Sequence, residues 1–222
     1  MLLSAYEQGL FPWYSEGEPV IWHSPDPRFV LFPEKLHVSA SMKKVLKRGD
    51  FSITFDRNFA GVITACSQID RPGQKGTWIT ADVINAYTEL HHLGWAHSAE
   101  AYRDEEPEAG APKTDTAPEK RASAPVLAGG CYGIRLGNCF FGESMFSRTN
   151  NASKAAFLTL ARFLFDDGVR FIDCQVHTDH LESLGAEEIS RKDFLALLHD
   201  TLSSRPAETD AADRRGPWRL AR

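Results

Sequence analysis

The sequence predicts an α+β fold, from three observations. Short stretches such as "FSITFD", "AHSAEAYRD" and "RFIDCQV" alternate side chains as strands do. "SASMKKVLKRG", "DVINAYTELHHLG" and "NASKAAFLTLARFLFDDG" carry helical periodicity and close on Gly49, Gly94 and Gly168. The long run "VLAGGCYGIRLGNCFFGESMFS" breaks only at Leu136-Gly137-Asn138, which predicts two neighbouring strands joined by a tight turn and a largely antiparallel sheet.

Taken in order, the aromatic, Pro-rich residues 1–33 read as a small N-terminal module. The helix of "SASMKKVLKRG", the strand of "FSITFD" and the helix of "DVINAYTELHHLG" open a main domain over residues 34–202. Within it, residues 103–125 contain four prolines and no Val, Ile, Leu, Met or aromatic residue. Such a stretch cannot repay the entropy of ordering, so a flexible insert is expected between two adjacent strands. The strongly apolar helix that begins near Asn151 or Ser153 leads to the strand "RFIDCQV" and a last helix from about Ser190. Residues 203–222 read as a loose tail. At 222 residues the chain is long enough for one sizeable core plus a small module.

Composition excludes several classes. The formal charge of −5 gives no overall attraction for polyanions, so any nucleic-acid contact has to come from a local basic patch. No apolar run approaches a membrane span, and "MLLSAYEQGLFPWY" lacks the basic start and cleavage site of a signal peptide. A cytoplasmic protein without membrane contact is expected. Cys66, Cys131, Cys139 and Cys174 are far apart with no C-x-x-C pair, and read as buried small hydrophobes.

Four groups of residues carry chemistry. Lys43, Lys44, Lys47 and Arg48 fall along one side of a helix, where they can bind phosphates or simply form a solvated face. Trp13 and Trp78 sit beside Pro or Gly, in turn contexts that can leave an indole free to stack on a nucleobase; core packing is the alternative. In "CFFGESMFSR", alternation puts Phe141, Glu143 and Met145 on one face and Phe140, Gly142, Ser144 and Phe146 on the other. Glu143 is thus an acid among apolar neighbours, suited to a substrate cation or to an ion pair with Arg148. In "RFIDCQV", Asp173 and Gln175 share a face. A carboxylate that accepts the glutamine amide N–H fixes the amide, whose oxygen can then accept from an attacking amine. An α-amine, with pKa about 7.7–8, needs orientation more than a strong base. "HTDH" offers His177, Asp179 and His180 but no H-E-x-x-H or cysteine pair, so no metal is expected, and Asp179 reads as a turn cap.

"AYEQGLFPWYS", "WHSPDPR", "GTWIT", "FGESMFSR", "NASK" and "IDCQV", in this order, resemble the leucyl/phenylalanyl-tRNA–protein transferases of bacteria. The resemblance runs from Leu3 to about Leu198 and skips the insert. It implies an acetyltransferase-like (GNAT) domain behind a small N-terminal domain. The implied reaction moves Leu, Phe or Met from aminoacyl-tRNA to the N-terminal Arg or Lys of a protein, marking it for degradation, with no cofactor. Catalytic roles fall on Asp173 and Gln175, and substrate contacts on Glu143, Met145 and Ser147. Trp13 and Trp78 match the tryptophans associated with the terminal adenosine, and Lys43, Lys44, Lys47 and Arg48 match the helix that holds the tRNA acceptor stem. An apolar amino-acid pocket is expected around Phe140, Met145, Phe157, Leu160, Leu164 and Ile172. Family members usually carry a "GGDLS"-like stretch before the "LLxAY" helix, within which this chain starts, so residues 1–33 are expected to be a remnant of that domain. A monomer is expected. Two alternatives share parts of the pattern. An acyl-CoA N-acyltransferase of the same fold needs a glycine-rich pyrophosphate loop, where this chain has "SRTNNASK". An RNA-binding module has no use for Asp173, Gln175 and Glu143.

Overall fold

A seven-stranded mixed sheet, in the order β4-β5-β6-β7-β8-β3-β9, organises the computed structural model, which describes residues 1–69, 77–104 and 124–203. The strands are β3 (Arg28–Leu31), β4 (Ser52–Phe55), β5 (Ala96–Arg103), β6 (Val126–Leu136), β7 (Cys139–Ser147), β8 (Phe171–Gln175) and β9 (Glu187–Ile189). A separate two-stranded ribbon pairs β1 (Phe11–Pro12) with β2 (Trp22–His23). Residues 105–123 of the expected insert and residues 204–222 of the expected tail lie outside the described residues.

All ladders of the large sheet are antiparallel except β7 with β8. That parallel pair needs a crossover, supplied by α5 (Ala152–Asp166). Helices α2 (Ala40–Arg48) and α5 cover one face of the sheet with Met42, Val45, Phe157, Leu160 and Leu164. Helices α1 (Leu2–Tyr6), α3 (Phe59–Ser67), α4 (Ala81–His92) and α7 (Arg191–Ser203) cover the other, where Tyr6, Ile63, Tyr87 and Phe194 pack on Phe141 and Phe171. A short α6 (Asp179–Glu182) follows β8.

Local chemistry explains the element boundaries. Ser39 accepts the Met42 N–H at 3.2 Å to start α2, and Gly49 ends it at φ +70. Gly168 likewise follows α5 at φ +86. Thr178, rather than Asp179, caps α6 by accepting the Leu181 N–H at 3.2 Å. Residues 28–31, read from sequence as part of the N-terminal module, form β3 and sit between β8 and β9 with every residue buried.

A bulge lies at the centre of the sheet. Tyr132 faces Ser144 and Gly133 faces Gly142, so Glu143 is the extra residue of β7. Phe140 and Met145 consequently share the face covered by α5, and Phe141 and Phe146 share the opposite one. This corrects the strict alternation expected for "CFFGESMFSR", because the inserted residue reverses the side-chain phase of all that follow. A Cβ on Gly133 would lie 2.2 Å from the Phe141 carbonyl oxygen and 2.5 Å from the Phe140 ring. Gly133→Ala should therefore cost about 1–3 kcal/mol of folding free energy, read from the urea midpoint at unchanged slope.

Candidate active site

The bulge aims Glu143 away from the regular ladder. Its carboxyl group contacts the Tyr6 hydroxyl at 2.7 Å, the Tyr87 hydroxyl at 3.0 Å and the Gln175 side-chain Nε2 at 3.1 Å. Tyr6 comes from α1 and Tyr87 from α4, and both are fully buried. Burial pushes the Glu143 carboxyl up to about 7, against the lowering effect of the two hydroxyls. Burial also raises both tyrosines, so they act as hydrogen-bonding groups and not as phenolates.

The end of β8 carries the second half of the site. Asp173 is fully buried and paired with fully buried Arg28 through Nε to Oδ1 at 2.8 Å and Nη2 to Oδ2 at 2.6 Å. Arg28 also donates from Nη1 to the Gly9 carbonyl, and its guanidinium lies between the Phe11 and Phe194 rings, 4.8 and 4.4 Å from their centroids. Asp173 Oδ1 accepts the backbone N–H of Gln175 at 2.9 Å, and Gln175 stands at φ +65. A non-glycine residue in that region is held there by its surroundings, here by the Asp173 carboxylate. The expectation that Asp173 orients the Gln175 amide is thus corrected. Asp173 fixes the Gln175 backbone, and Glu143 orients the side-chain amide, whose Nε2 donates to Glu143 Oε1.

Between these groups and α5 lies a cavity of about 500 Å³. Phe140, Met145, Phe157, Leu160 and Ile172 give it an apolar lining, while Glu143 and Gln175 supply polar groups. Trp13 and Trp78 both border it, Trp13 being 39% exposed. Among the other lining residues, Tyr132, Cys174, Thr178 and Leu181 were not singled out as site residues by sequence. Tyr6, Tyr87 and Arg28 were also missed. Arg28 left a signal, since an arginine opening the apolar run of residues 29–32 needs an acid if that strand is buried, and Asp173 needed a cation for the same reason.

A family model described as leucyl/phenylalanyl-tRNA protein transferase matches residues 30–111 and 121–199, and one for the N-terminal domain of that family matches residues 1–26. The leucyl/phenylalanyl-tRNA–protein transferase of Syntrophus aciditrophicus is 50% identical over 201 residues, spanning 90% of this chain and 76% of the relative. Those of Myxococcus xanthus and Flavobacterium johnsoniae are 46% and 47% identical over 98% and 87% of this chain, and over 81% and 82% of their own lengths. The chain belongs to the leucyl/phenylalanyl-tRNA–protein transferase family.

Some residues that the family resemblance marked lie away from the cavity of this transferase-family chain. Leu164, on α5, is buried in the core and is not part of the cavity lining. Ser147 is exposed, donates to the Thr149 carbonyl at 2.8 Å and accepts the Ser153 N–H at 3.2 Å, so it caps the start of α5. Asp173 lies behind the lining. Lys43, Lys44 and Lys47 are exposed on α2, whereas Arg48 is tied to Asp50 at 2.5 Å. Arg148 reaches the Leu127 carbonyl at 3.2 Å and packs on Phe146, so it is not the partner of Glu143. His177, Asp179 and Glu182 bring ligand atoms within 4.8 Å of one another, all exposed, while His180 is outside that group and, like His177, borders the cavity.

Asp173→Ala would leave the Arg28 guanidinium buried and unpaired. It should cost about 3–5 kcal/mol of stability, measured by chemical denaturation. Replacing Arg28 and Asp173 together by apolar residues of similar volume should restore much of that loss and still leave Gln175 without its backbone anchor.

Proposed function

We propose that the protein is an aminoacyltransferase that moves Leu, Phe or Met from aminoacyl-tRNA onto the N-terminal Arg or Lys of acceptor proteins. One observation carries this reading: an apolar cavity bordered by two tryptophans, with a carboxyl group and an oriented glutamine amide in its wall. The apolar walls suit an aliphatic or aromatic side chain, Glu143 suits the α-ammonium of the charged amino acid, and Trp13 and Trp78 suit the terminal adenine. The family membership and the names of the relatives support the same assignment.

In the reaction, the acceptor's neutral N-terminal amine attacks the ester carbonyl that joins the amino acid to the terminal ribose. The new C–N bond forms as the ribose oxygen leaves and takes up a proton, and the amine loses one. The ester is already activated, so no further activation by a nucleotide is required. Gln175 Nε2 is held by Glu143, which leaves its Oε1 to accept a hydrogen bond from the attacking amine and orient its lone pair. Asp173 acts at one remove, by holding the Gln175 backbone. A hydrophobic pocket separates similar apolar side chains by only about 1–3 kcal/mol, which accounts for acceptance of more than one amino acid.

The main domain is read as acetyltransferase-like. The parallel β7–β8 pair bridged by α5 within an otherwise antiparallel sheet supports that. The acyl-CoA alternative is disfavoured by the β7–α5 join, where the Ser147 side chain already takes the Ser153 N–H that an open pyrophosphate cradle would present. Exposed Lys43, Lys44 and Lys47 form the tRNA contact, with Arg48 held partly by Asp50. A small N-terminal unit ending near Asp26, a cytoplasmic location and a monomeric state complete the reading. No helix among the described residues is long and apolar enough to cross a membrane.

The test is transfer of label from leucyl-tRNA to a peptide beginning with Arg, without CoA. Failure while the tRNA stays charged would sink the transferase reading. Gln175→Ala should slow transfer by about 10²-fold with tRNA binding retained, measured by single-turnover kinetics and filter binding. Lys43→Ala combined with Lys44→Ala should weaken tRNA binding and reduce the slope of log affinity against log salt by about two.

A further inference from the structure

The contacts around Glu143 pose a counting problem. Three oxygen pairs are within hydrogen-bond distance: Glu143 Oε1 with Tyr6 at 2.7 Å, Tyr6 with Tyr87 at 2.5 Å, and Tyr87 with Glu143 Oε2 at 3.0 Å. They close a ring, and the two hydroxyls supply only two protons. If Glu143 is a carboxylate, one of the three pairs has no proton between its atoms. When both tyrosines donate to the carboxylate, that pair is the shortest one, and two oxygens then face each other lone pair to lone pair in a fully buried setting. A proton on the carboxyl removes the conflict. Glu143 Oε2 then donates to Tyr87, Tyr87 to Tyr6, and Tyr6 to Glu143 Oε1, which still accepts from Gln175 Nε2.

We propose that Tyr6, Tyr87 and Glu143 form a proton-holding ring: the empty site keeps one proton on the Glu143 carboxyl, and the α-ammonium of the aminoacyl ester displaces it. This rests on the aminoacyl-tRNA reading above. Glu143 is the member that borders the cavity, while both tyrosines lie buried behind it, so a cation entering from the cavity meets the carboxyl first. If the ammonium form enters, the carboxyl proton leaves to solvent, and one proton is released per molecule bound. If the neutral amine enters, it takes the proton itself, with no net release. Both routes end in the same carboxylate–ammonium pair, in which both tyrosines donate to Glu143 and the ammonium charge offsets the lone-pair contact between their oxygens. Tyr6 and Tyr87 are therefore positioning residues, and α1, which carries Tyr6, completes the substrate site.

The other charged groups acting on Glu143 are Asp173 on β8, which favours the proton, and Arg28 on β3, which opposes it. Their mutual pairing makes these two influences offset, so burial and the hydroxyls decide the balance. The sign for stability follows. A carboxyl raised in the folded state contributes stability below its unfolded value, and that contribution is lost as pH rises through about 7. Glu143→Gln, which carries a permanent donor and acceptor and no charge, should gain melting temperature over the wild type at alkaline pH and not at acid pH.

Two measurements on the full chain decide the proposal. In the first, ¹³C-labelled glutamate carboxyls of the free protein are titrated by NMR, and the Glu143 signal is assigned by its loss in Glu143→Gln. Titration near neutrality supports the ring; titration in the ordinary carboxylate range overturns it, whatever the substrate. The second is calorimetric binding of a non-hydrolysable amide analogue of phenylalanyl-adenosine, and of its counterpart lacking the α-amine. The amine analogue should bind about tenfold more weakly per pH unit below the Glu143 midpoint, with a buffer-dependent heat that reports proton release. The desamino analogue should show neither effect. Tyr6→Phe and Tyr87→Phe each remove a donor to the carboxylate, so each should move the acid limb upward by roughly one pH unit. An unmoved limb, or proton-free binding of the amine analogue under acid conditions, overturns the coupling. Failure of both analogues to bind at any pH overturns the aminoacyl reading instead, and the NMR titration still decides the ring by itself.

Discussion

The site depends on one buried ion pair. Arg28 and Asp173 are both fully buried and meet through two parallel hydrogen bonds. Taking two such ions from water costs several kcal/mol for each, which only good geometry and further partners can offset. The partners come from widely separated segments: the Gly9 carbonyl after α1, the Phe11 ring on β1, the Phe194 ring on α7 and the Gln175 N–H at the end of β8. The pair therefore ties the N-terminal segment, the central strands and the last helix to one point. Apolar residues could fill the same volume but could not dictate where Gln175 leaves the strand.

That constraint separates the roles of three polar residues that look similar in sequence. Asp173 is paired with Arg28 and buried behind the cavity lining, so its influence passes through the backbone of Gln175. Gln175, forced to positive φ, turns its amide toward Glu143 and not along the strand. Glu143 is displaced from the ladder by the bulge and is the acid that reaches the cavity. Two carboxyl groups close in the fold are thus given opposite environments. One is fixed by a cation and the other is surrounded by neutral hydroxyls, and such divergence is how a site obtains distinct chemistry from identical groups.

Much of this was legible in the sequence, for identifiable reasons. The strands "FSITFD" and "RFIDCQV" were readable from their alternation, and the helices α2, α4 and α5 from their helical period and ordinary boundary residues. Helix α3 was not, because "FAGVITACS" is apolar on nearly every side and such a run has no telling period. The place of β3 was also hidden. Its partners β8 and β9 lie more than a hundred residues away, and local pattern says nothing of such pairing. In the site, Glu143, Gln175 and five of the six apolar pocket residues expected from sequence do line the cavity, but their connections could not be read. The bulge reversed the phase of β7 after Glu143, and the positive φ of Gln175 broke alternation at the one place where alternation had been used to pair it with Asp173. Both failures occur where a regular strand was bent to aim a side chain, and a period-two pattern cannot register that.

The cavity itself imposes a compromise. On the reading proposed above the cavity takes the side chain of the charged amino acid, which calls for dry walls, and Phe157 and Leu160 on α5 with Phe140 and Ile172 on the sheet provide them. The amino acid also brings an ammonium a short distance from that side chain, and a dry wall raises the cost of any carboxylate placed to receive it. A carboxylate paired with a protein cation would be stable but useless to the ligand, as Asp173 is. A carboxylate open to bulk water would be cheap but weakly attractive, since solvent screens the contact. Backing Glu143 with two buried hydroxyls takes neither course. Neutral donors can stabilise the charged form without competing for its charge, and they can also rearrange around the protonated form. The side of the carboxyl that faces the cavity is left for the ligand, and the hydroxyls come from α1 and α4, on the face of the sheet opposite α5. The apolar half of the site and its polar half are thereby built from different layers of the fold, with the bulged strand β7 contributing to both.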